Sequence, residues 1–174
     1  MTRIQVWDPF VRVFHWSLVA LFAANALFVD DDGKLHIWIG YAIVAWVAMR
    51  LVWGVVGTPY ARFSSFPPST RAAMDQLTDI ATGRKRQHLG HTPLGALMIY
   101  NLLLSLLVIG LSGHLMTTDM FWGLEWPEEL HELSVAWAEV SVVLHIAAVI
   151  FESRRLGTNL PRSMVTGYRD IPTE

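Results

Sequence analysis

The chain has 174 residues, of which 53 % are apolar and 16 % are charged, and it contains no cysteine. The lack of cysteine excludes disulfides, thiolate-bound iron–sulfur clusters and covalently attached c-type haem. The charged fraction lies below the roughly 25 % of ordinary soluble domains. The apolar residues are gathered into long runs, which indicates a membrane protein.

Four of these runs are long enough to cross a bilayer, since a spanning helix needs about 20 mostly apolar residues. The first contains His15 and Asn25 and exceeds the roughly 7–15 residues of a signal-peptide core. We therefore expect a retained helix, with Asp8 as its N-cap and Pro9 at its first position. The predicted fold is all-α, a single integral membrane four-helix bundle over residues 1–174, with spans at 10–29, 36–56, 92–115 and 130–151.

The segment between the second and third spans contains a predicted amphipathic helix over residues 70–82, with Met74, Leu77 and Ile80 on one side. We expect this helix to lie along the membrane surface. The basic residues 84–86 that follow it suit anionic lipid headgroups. A solvated loop is the alternative. An outer loop is predicted over residues 116–129, and Pro127 is expected to begin the fourth helix.

The distribution of charge predicts the orientation of the bundle. Four spans place the N-terminus, the segment between spans two and three and the C-terminal tail on one side, and this side holds every Lys and Arg except Lys34. The positive-inside rule then places both termini in the cytoplasm. Topology alone explains these basic residues, so we predict no nucleic-acid binding. The opposite side is acidic, with Asp30, Asp31, Asp32, Asp119, Glu125, Glu128 and Glu129.

Four histidines occur in the apolar runs at two matched depths. His131 and His145 are fourteen residues apart in the fourth span, which separates them by about 21 Å on nearly the same helix face. Given the direction of each span, His15 lies at the depth of His145 on the inner side, and His36 lies at the depth of His131 on the outer side. Two pairs of imidazoles from different helices are what two bis-histidine haems require.

Other readings of these and neighbouring residues stay open. A single buried histidine is more often a hydrogen-bonded structural residue, and His114 competes with His36 for the outer site. Arg12, Arg50 and His91 are candidates for contacts with haem propionates or, for His91, a quinone; all three can equally be ordinary interfacial residues. Glu139, between the two ligands of the fourth span, either relays protons or bonds a neighbouring Ser or Trp.

Several motifs resemble one known family, the bacterial di-haem b-type cytochromes, which include prokaryotic cytochrome b561 and the cytochrome b subunits of nickel–iron hydrogenases. The resemblance extends from Val6 to Tyr168, and its motifs are specific in combination rather than singly. They are Val6-Trp7-Asp8-Pro9-Phe10, Phe14-His15-Trp16, His36-x-x-x-Gly40-Tyr41, Arg50-x-x-Trp53-Gly54-x-x-Gly57, Ala61-Arg62-Phe63, Gly90-His91-Thr92-Pro93-Leu94-Gly95, His131-Glu132, His145, and Asn159-Leu160 with Met164 and Gly167.

The resemblance implies two non-covalent haems b in a multi-pass protein of the bacterial inner membrane. The family's ligand positions match His15 and His145 for the inner iron, and His36 and His131 for the outer iron. Members carry electrons between the quinone pool and a periplasmic c-type cytochrome or redox enzyme subunit, so we expect these partners besides membrane lipid. No catalytic residue is predicted, and the protein is expected to be an electron-transfer component that can react with quinone.

Two other functions within the family are alternatives to electron transfer between quinone and a periplasmic partner. A superoxide:quinone oxidoreductase needs a positive outer surface, for which this chain offers only Lys34 and His114 among many acids. A membrane anchor of a hydrogenase or dehydrogenase is the second alternative, although the chain lacks the additional helix of the longer hydrogenase subunits. The chain also departs from the family's pattern of small polar residues around Trp137 and Glu139.

Overall fold

A computed structural model describes residues 2–31 and 33–171, so Asp32 of the predicted acidic side and residues 1 and 172–174 of the predicted domain lie outside it. The described chain contains six α-helices, two 3₁₀ turns at Phe63–Ser65 and Asp119–Phe121, and two short strands. The helices are α1 (Pro9–Leu27), α2 (Lys34–Val56), α3 (Thr70–Ala81), α4 (Pro93–Met116), α5 (Glu125–Leu156) and α6 (Leu160–Thr166), and the strands are β1 (Thr2–Gln5) and β2 (Tyr168–Ile171).

Four of the helices, α1, α2, α4 and α5, are long and apolar enough to cross a membrane, which confirms the predicted helical membrane bundle. Even the shortest, α1 with 19 residues, is about 28 Å long at about 1.5 Å per residue. Helix α1 packs on α2, α2 on α4, and α4 on α5. The buried core between α1, α2 and α4 comprises Phe14, Ile43, Val47, Leu103 and Leu106.

Helix starts follow the predicted local chemistry. The Asp8 carboxylate accepts a hydrogen bond from the Val11 N–H and caps α1, with Pro9 in the first turn. Ser69 and Thr92 cap α3 and α4 in the same way. These side chains satisfy N–H groups that the first turn of a helix leaves without a partner.

The predicted boundaries of the first and fourth spans need correction. Helix α1 ends at Leu27 rather than at residue 29, and α5 runs from Glu125 to Leu156 rather than over 130–151. Pro127 therefore lies within the first turn and does not begin the helix, a position where its missing N–H is harmless. Acidic residues in that turn favour the helix N-terminus, so α5 extends beyond its apolar section into the polar surroundings.

The chain termini and the long loop between α2 and α4 meet at one end of the bundle. Strands β1 and β2 pair antiparallel, with Arg3 opposite Asp170. The indole N–H of Trp7 donates to the Ser163 hydroxyl at 3.2 Å, and Arg169 donates to the carbonyl groups of residues 88–90. With four spanning helices, both termini and this middle loop must lie at the same end of the bundle. The two strands are an addition to the expected all-α fold.

Helix α3 has its polar side toward the bundle. Gln76 and Asp79 are buried, and Gln76 donates to Glu152 at 2.8 Å and accepts from the Leu94 N–H at 2.9 Å. Met74 and Leu77 are exposed. An outward-facing apolar side is the arrangement expected of a helix at a membrane surface.

Candidate functional site

The histidines of the predicted outer pair face each other. The ring centres of His36 on α2 and His131 on α5 are 6.1 Å apart, with the ring planes at 63°. An imidazole nitrogen binds a metal ion at about 2 Å, so two imidazoles on opposite sides of one ion have ring centres about 6 Å apart. The observed separation therefore fits a pair of axial ligands.

Helix α4 holds the ring of His131. The Nδ1 atom lies 3.0 Å from the Ile109 carbonyl oxygen and 3.2 Å from the Ser112 hydroxyl. A bond from Nδ1–H to the carbonyl leaves the lone pair of Nε2 free, which is how metal-binding histidines are usually oriented. Gly113 allows this contact, because a Cβ atom there would lie 3.1 Å from Cε1 of His131.

His36 is less constrained by its neighbours. Its Nδ1 atom is buried without a hydrogen-bond partner among the described residues. The nearest carboxylate, that of Asp31, lies 4.0 Å away and is itself 92 % exposed. Orphaned polar atoms are rare in native proteins, and one on this ring is consistent with a site completed by another group.

The inner pair, His15 on α1 and His145 on α5, is more open. Both side chains are half-buried, and His145 is near enough to act electrostatically on His15. The Nδ1 atom of His15 is buried without a partner in the described chain. The two rings are thus on the predicted helices at the predicted end, without the direct facing seen for His36 and His131.

Helix α5 carries one histidine of each pair and packs loosely in the bundle. Helix α5 packs on α4, whereas in the described chain it has no comparable packing against α1 or α2. Only 11 % of the most apolar section of α5 is buried, against 17–22 % in the other three spanning helices. Helix bundles build cofactor sites from side chains on facing helices, and the separation of His36 and His131 fits such a site.

His114 has a different partner. Its Nδ1 atom lies 3.0 Å from the Tyr41 hydroxyl, and its side chain is exposed. The structure therefore brings His36, and not His114, to His131. Within the described chain, no three His, Cys, Asp or Glu side chains gather as a metal site.

In each of the two predicted arginines, one guanidinium nitrogen donates a hydrogen bond and another is buried without a partner among the described residues. Arg12 donates through one terminal nitrogen to the Val165 carbonyl at 2.8 Å, while its Nε is buried without a partner in the described residues. Arg50, which is 3 % exposed, donates to the Ala61 carbonyl at 3.0 Å, and its other terminal nitrogen is buried without a partner in the part of the chain that the structure describes. These free donors remain available to an anionic group such as a propionate.

His91 lies between two aromatic rings at the same end of the bundle. Its ring centre is 4.7 Å from that of Trp7 and 4.1 Å from that of Phe66. Burial, together with the positive charges of Arg50 and Arg169, lowers the pKa of His91 to about 3. His91 is therefore neutral at physiological pH, and its buried Nδ1 has no partner among the described residues.

Arg169 joins the candidate site although no sequence motif marks it. This side chain is 3 % exposed, and one of its terminal nitrogens is buried without a described partner. Burial lowers its pKa, which the carboxylate of Glu152 partly counteracts. In the sequence it is one more basic residue of the tail. Only the pairing of β1 with β2 brings it beside residues 88–90, and no local pattern signals that pairing.

Glu139 differs from one of its predicted roles. The predicted hydrogen bond from Glu139 to a neighbouring Ser or Trp is not formed among the described residues. Instead, the Trp137 indole N–H donates to the side-chain oxygen of Asn101 on α4, and the Asn101 amide donates to the Ser141 hydroxyl, at 2.9 Å each. The Glu139 side chain is exposed on α5. The Asn101 group thus joins α4 to α5, and Glu139 takes no part in it.

Comparison with known proteins found a family match. The model of the family described as prokaryotic cytochrome b561 matches residues 6–167, almost the same extent as the resemblance in the sequence motifs. Comparisons with curated proteins and with solved structures found no match.

Proposed function

Because the chain belongs to the prokaryotic cytochrome b561 family, whose members are membrane b-type cytochromes that transfer electrons, we propose that it holds two haems b. We further propose that it conducts electrons across the bacterial inner membrane. His15 and His145 ligate the inner iron, and His36 and His131 ligate the outer iron. The observation that carries this proposal is the 6.1 Å separation of the His36 and His131 rings.

Bound haem supplies one-electron redox chemistry, and the residues of this chain restrict what that chemistry can do. If the two histidines of each pair hold the same haem, they would favour electron transfer over oxygen binding. The hydrogen bond between Nδ1 of His131 and the Ile109 carbonyl fixes the tautomer and the ring orientation of that ligand. Arg12 and Arg50 present unpaired donors to the propionates of the inner haem.

The direction of the bundle follows from its charges. The end that contains both termini is basic, which supports a cytoplasmic location for it. The His36–His131 pair then lies near the periplasmic surface, and the two pairs are about 21 Å apart along α5. With haems held at both pairs, this orientation would let the protein carry electrons between a quinone in the membrane and a partner at the periplasmic side.

The outer surface favours a basic redox partner, such as a periplasmic c-type cytochrome or enzyme subunit. Glu125, Glu128 and Glu129 are exposed on the first turns of α5. Complementary charge accelerates the encounter of such proteins. The same acids repel superoxide, so we do not favour a superoxide:quinone oxidoreductase.

The proposal is tested by haem quantitation and reduced-minus-oxidised spectra of the purified full-length chain. The wild type should contain two haems, and alanine at either His36 or His131 should remove one of them. Alanine at His15 or His145 should remove the other. His114→Ala is the control and should retain both. A wild type with one haem, or loss of a haem from the control, contradicts the ligand set.

A further inference from the structure

A groove at the basic end of the bundle adjoins the lipid-facing side of α5. One part has a volume of about 420 Å³ and is lined by Ile150 and Arg154 of α5 and by the turn after it. A second part of about 300 Å³ continues toward Arg162 and Arg3. Both parts share Gly157, Thr158 and Asn159 as lining residues, so they adjoin each other at the turn after α5, and we treat them together as one groove.

The groove is positively charged at its polar end. Arg3, Arg154 and Arg162 line it and are exposed. No salt bridge among the described residues involves any of these three arginines. By contrast, the neighbouring Arg155 is paired with Glu152 at 2.7 Å. Asp170 also lines the second part, which leaves a net positive charge.

At its other end the groove reaches Ile150, which continues into an exposed apolar face of a spanning helix. Val143, Ile146 and Ile150 are 66 %, 53 % and 44 % exposed. Their spacing places them, with Arg154, along one face of α5. This apolar stripe lies between Arg154 and Glu139. Because α5 is a membrane-spanning helix, the stripe faces the acyl region, and Arg154 lies at the headgroup level.

We propose that this groove binds an anionic phospholipid, with its phosphate at Arg154 and Arg162 and an acyl chain along the Val143–Ile150 stripe. A free phosphate would use only the arginines and leave the stripe without a role. Basic pockets at the cytoplasmic side of membrane bundles suit anionic lipid headgroups, and arginine stems pack well on apolar surface while the guanidinium reaches the phosphate.

The test uses the haem-loaded full-length protein in a neutral detergent and native mass spectrometry. Phosphatidylglycerol, phosphatidylcholine and inorganic phosphate are added in separate arms. The wild type should retain one phosphatidylglycerol in preference to phosphatidylcholine. The double variant Arg154→Gln, Arg162→Gln should lose about tenfold or more of this affinity, since each cation near a headgroup contributes to binding.

The matched control is Arg62→Gln, Arg71→Gln, which removes two exposed positive charges from the same end of the bundle outside the groove. It should bind phosphatidylglycerol like the wild type. Equal losses in the two double variants would indicate only general charge attraction and overturn the proposal. Displacement of the lipid by millimolar inorganic phosphate would overturn it as well, because the site would then recognise phosphate without the acyl chain. The haem spectrum should be unchanged in both variants.

Discussion

Nδ1 of His131 on α5 lies 3.0 Å from the carbonyl oxygen of Ile109 on α4. A helix that carries none of the four proposed ligands thus orients one of them. The arrangement depends on close approach of the two helices, because the His131 ring lies directly over Gly113. The precision of the outer site is therefore set by residues that neither bind metal nor show any motif of their own.

Gly113→Ala should weaken the outer site. The added Cβ would lie 3.1 Å and 3.3 Å from two atoms of the His131 ring, which cannot retreat without loss of its hydrogen bonds to α4. Such overpacking costs about 1 kcal/mol or more, which corresponds to about a fivefold loss of haem affinity. Haem titration of the apoprotein measures it. The inner haem is the internal control, since Gly113 contacts only the ligand of the outer site; an equal loss of affinity at both sites would contradict this prediction.

The sequence predicted the features that depend on local pattern. The four spans are long apolar runs, so hydropathy located them to within a few residues. The start of α1 was predicted because Asp8 and Pro9 are residues that cap and begin a helix. Helix geometry and the alternating direction of the spans were enough to predict that His36 and His131 lie at the same depth.

Other features could not be predicted because they join distant parts of the chain. The Trp7–Ser163 hydrogen bond connects residues 156 positions apart, and Arg169 reaches residues 88–90 through β2. Neither contact produces a periodic signal. The ends of α5 were also missed, since a hydropathy criterion detects the apolar section of a helix and not its polar turns.

Asp8 should stabilise the bundle well beyond its role as a helix cap. Its carboxylate accepts from the Val11 N–H at 2.9 Å, the Trp53 indole N–H at 3.1 Å and the Thr58 hydroxyl at 2.6 Å. Burial raises the pKa of Asp8, but these hydrogen bonds together outweigh it and hold the pKa below the ordinary value of 3.8. The stabilisation is present above about pH 3.8 and is lost as the pH falls through the lower pKa of the folded protein.

Asp8→Asn should therefore lower the free energy of unfolding by about 2 kcal/mol, since hydrogen bonds to a charged group and a helix cap are both weakened. Thermal unfolding in detergent at pH 7 measures the effect. Asp75→Asn, at an exposed position of α3, is the control and should leave the unfolding temperature unchanged. A wild-type unfolding temperature in the Asp8 variant would show that these bonds contribute little.

His91 should make the folded protein sensitive to mild acid. Its pKa is about 3 in the folded state against an ordinary 6.5, so between these values the unfolded chain binds a proton that the folded chain does not. Stability is complete above pH 6.5 and falls with decreasing pH by up to about 1.4 kcal/mol per pH unit. Thermal unfolding between pH 7.5 and pH 5 measures this slope. His91→Phe, which keeps the aromatic packing, should reduce it; an unchanged slope would exclude His91 as the cause.

Glu125, Glu128 and Glu129 should accelerate electron transfer to a basic partner. Their exposure on the outer turns of α5 places three negative charges at the end that holds the His36–His131 pair. In the triple glutamine variant, the second-order rate with a basic c-type cytochrome at low ionic strength should fall about tenfold. Stopped-flow oxidation of the reduced protein measures the rate, and its dependence on salt should become weaker because the steering charges are gone.

The double variant Asp75→Asn, Asp170→Asn, whose changes lie at the opposite end of the bundle, is the control and should react like the wild type. A triple variant with the wild-type rate and salt dependence would place the docking surface elsewhere.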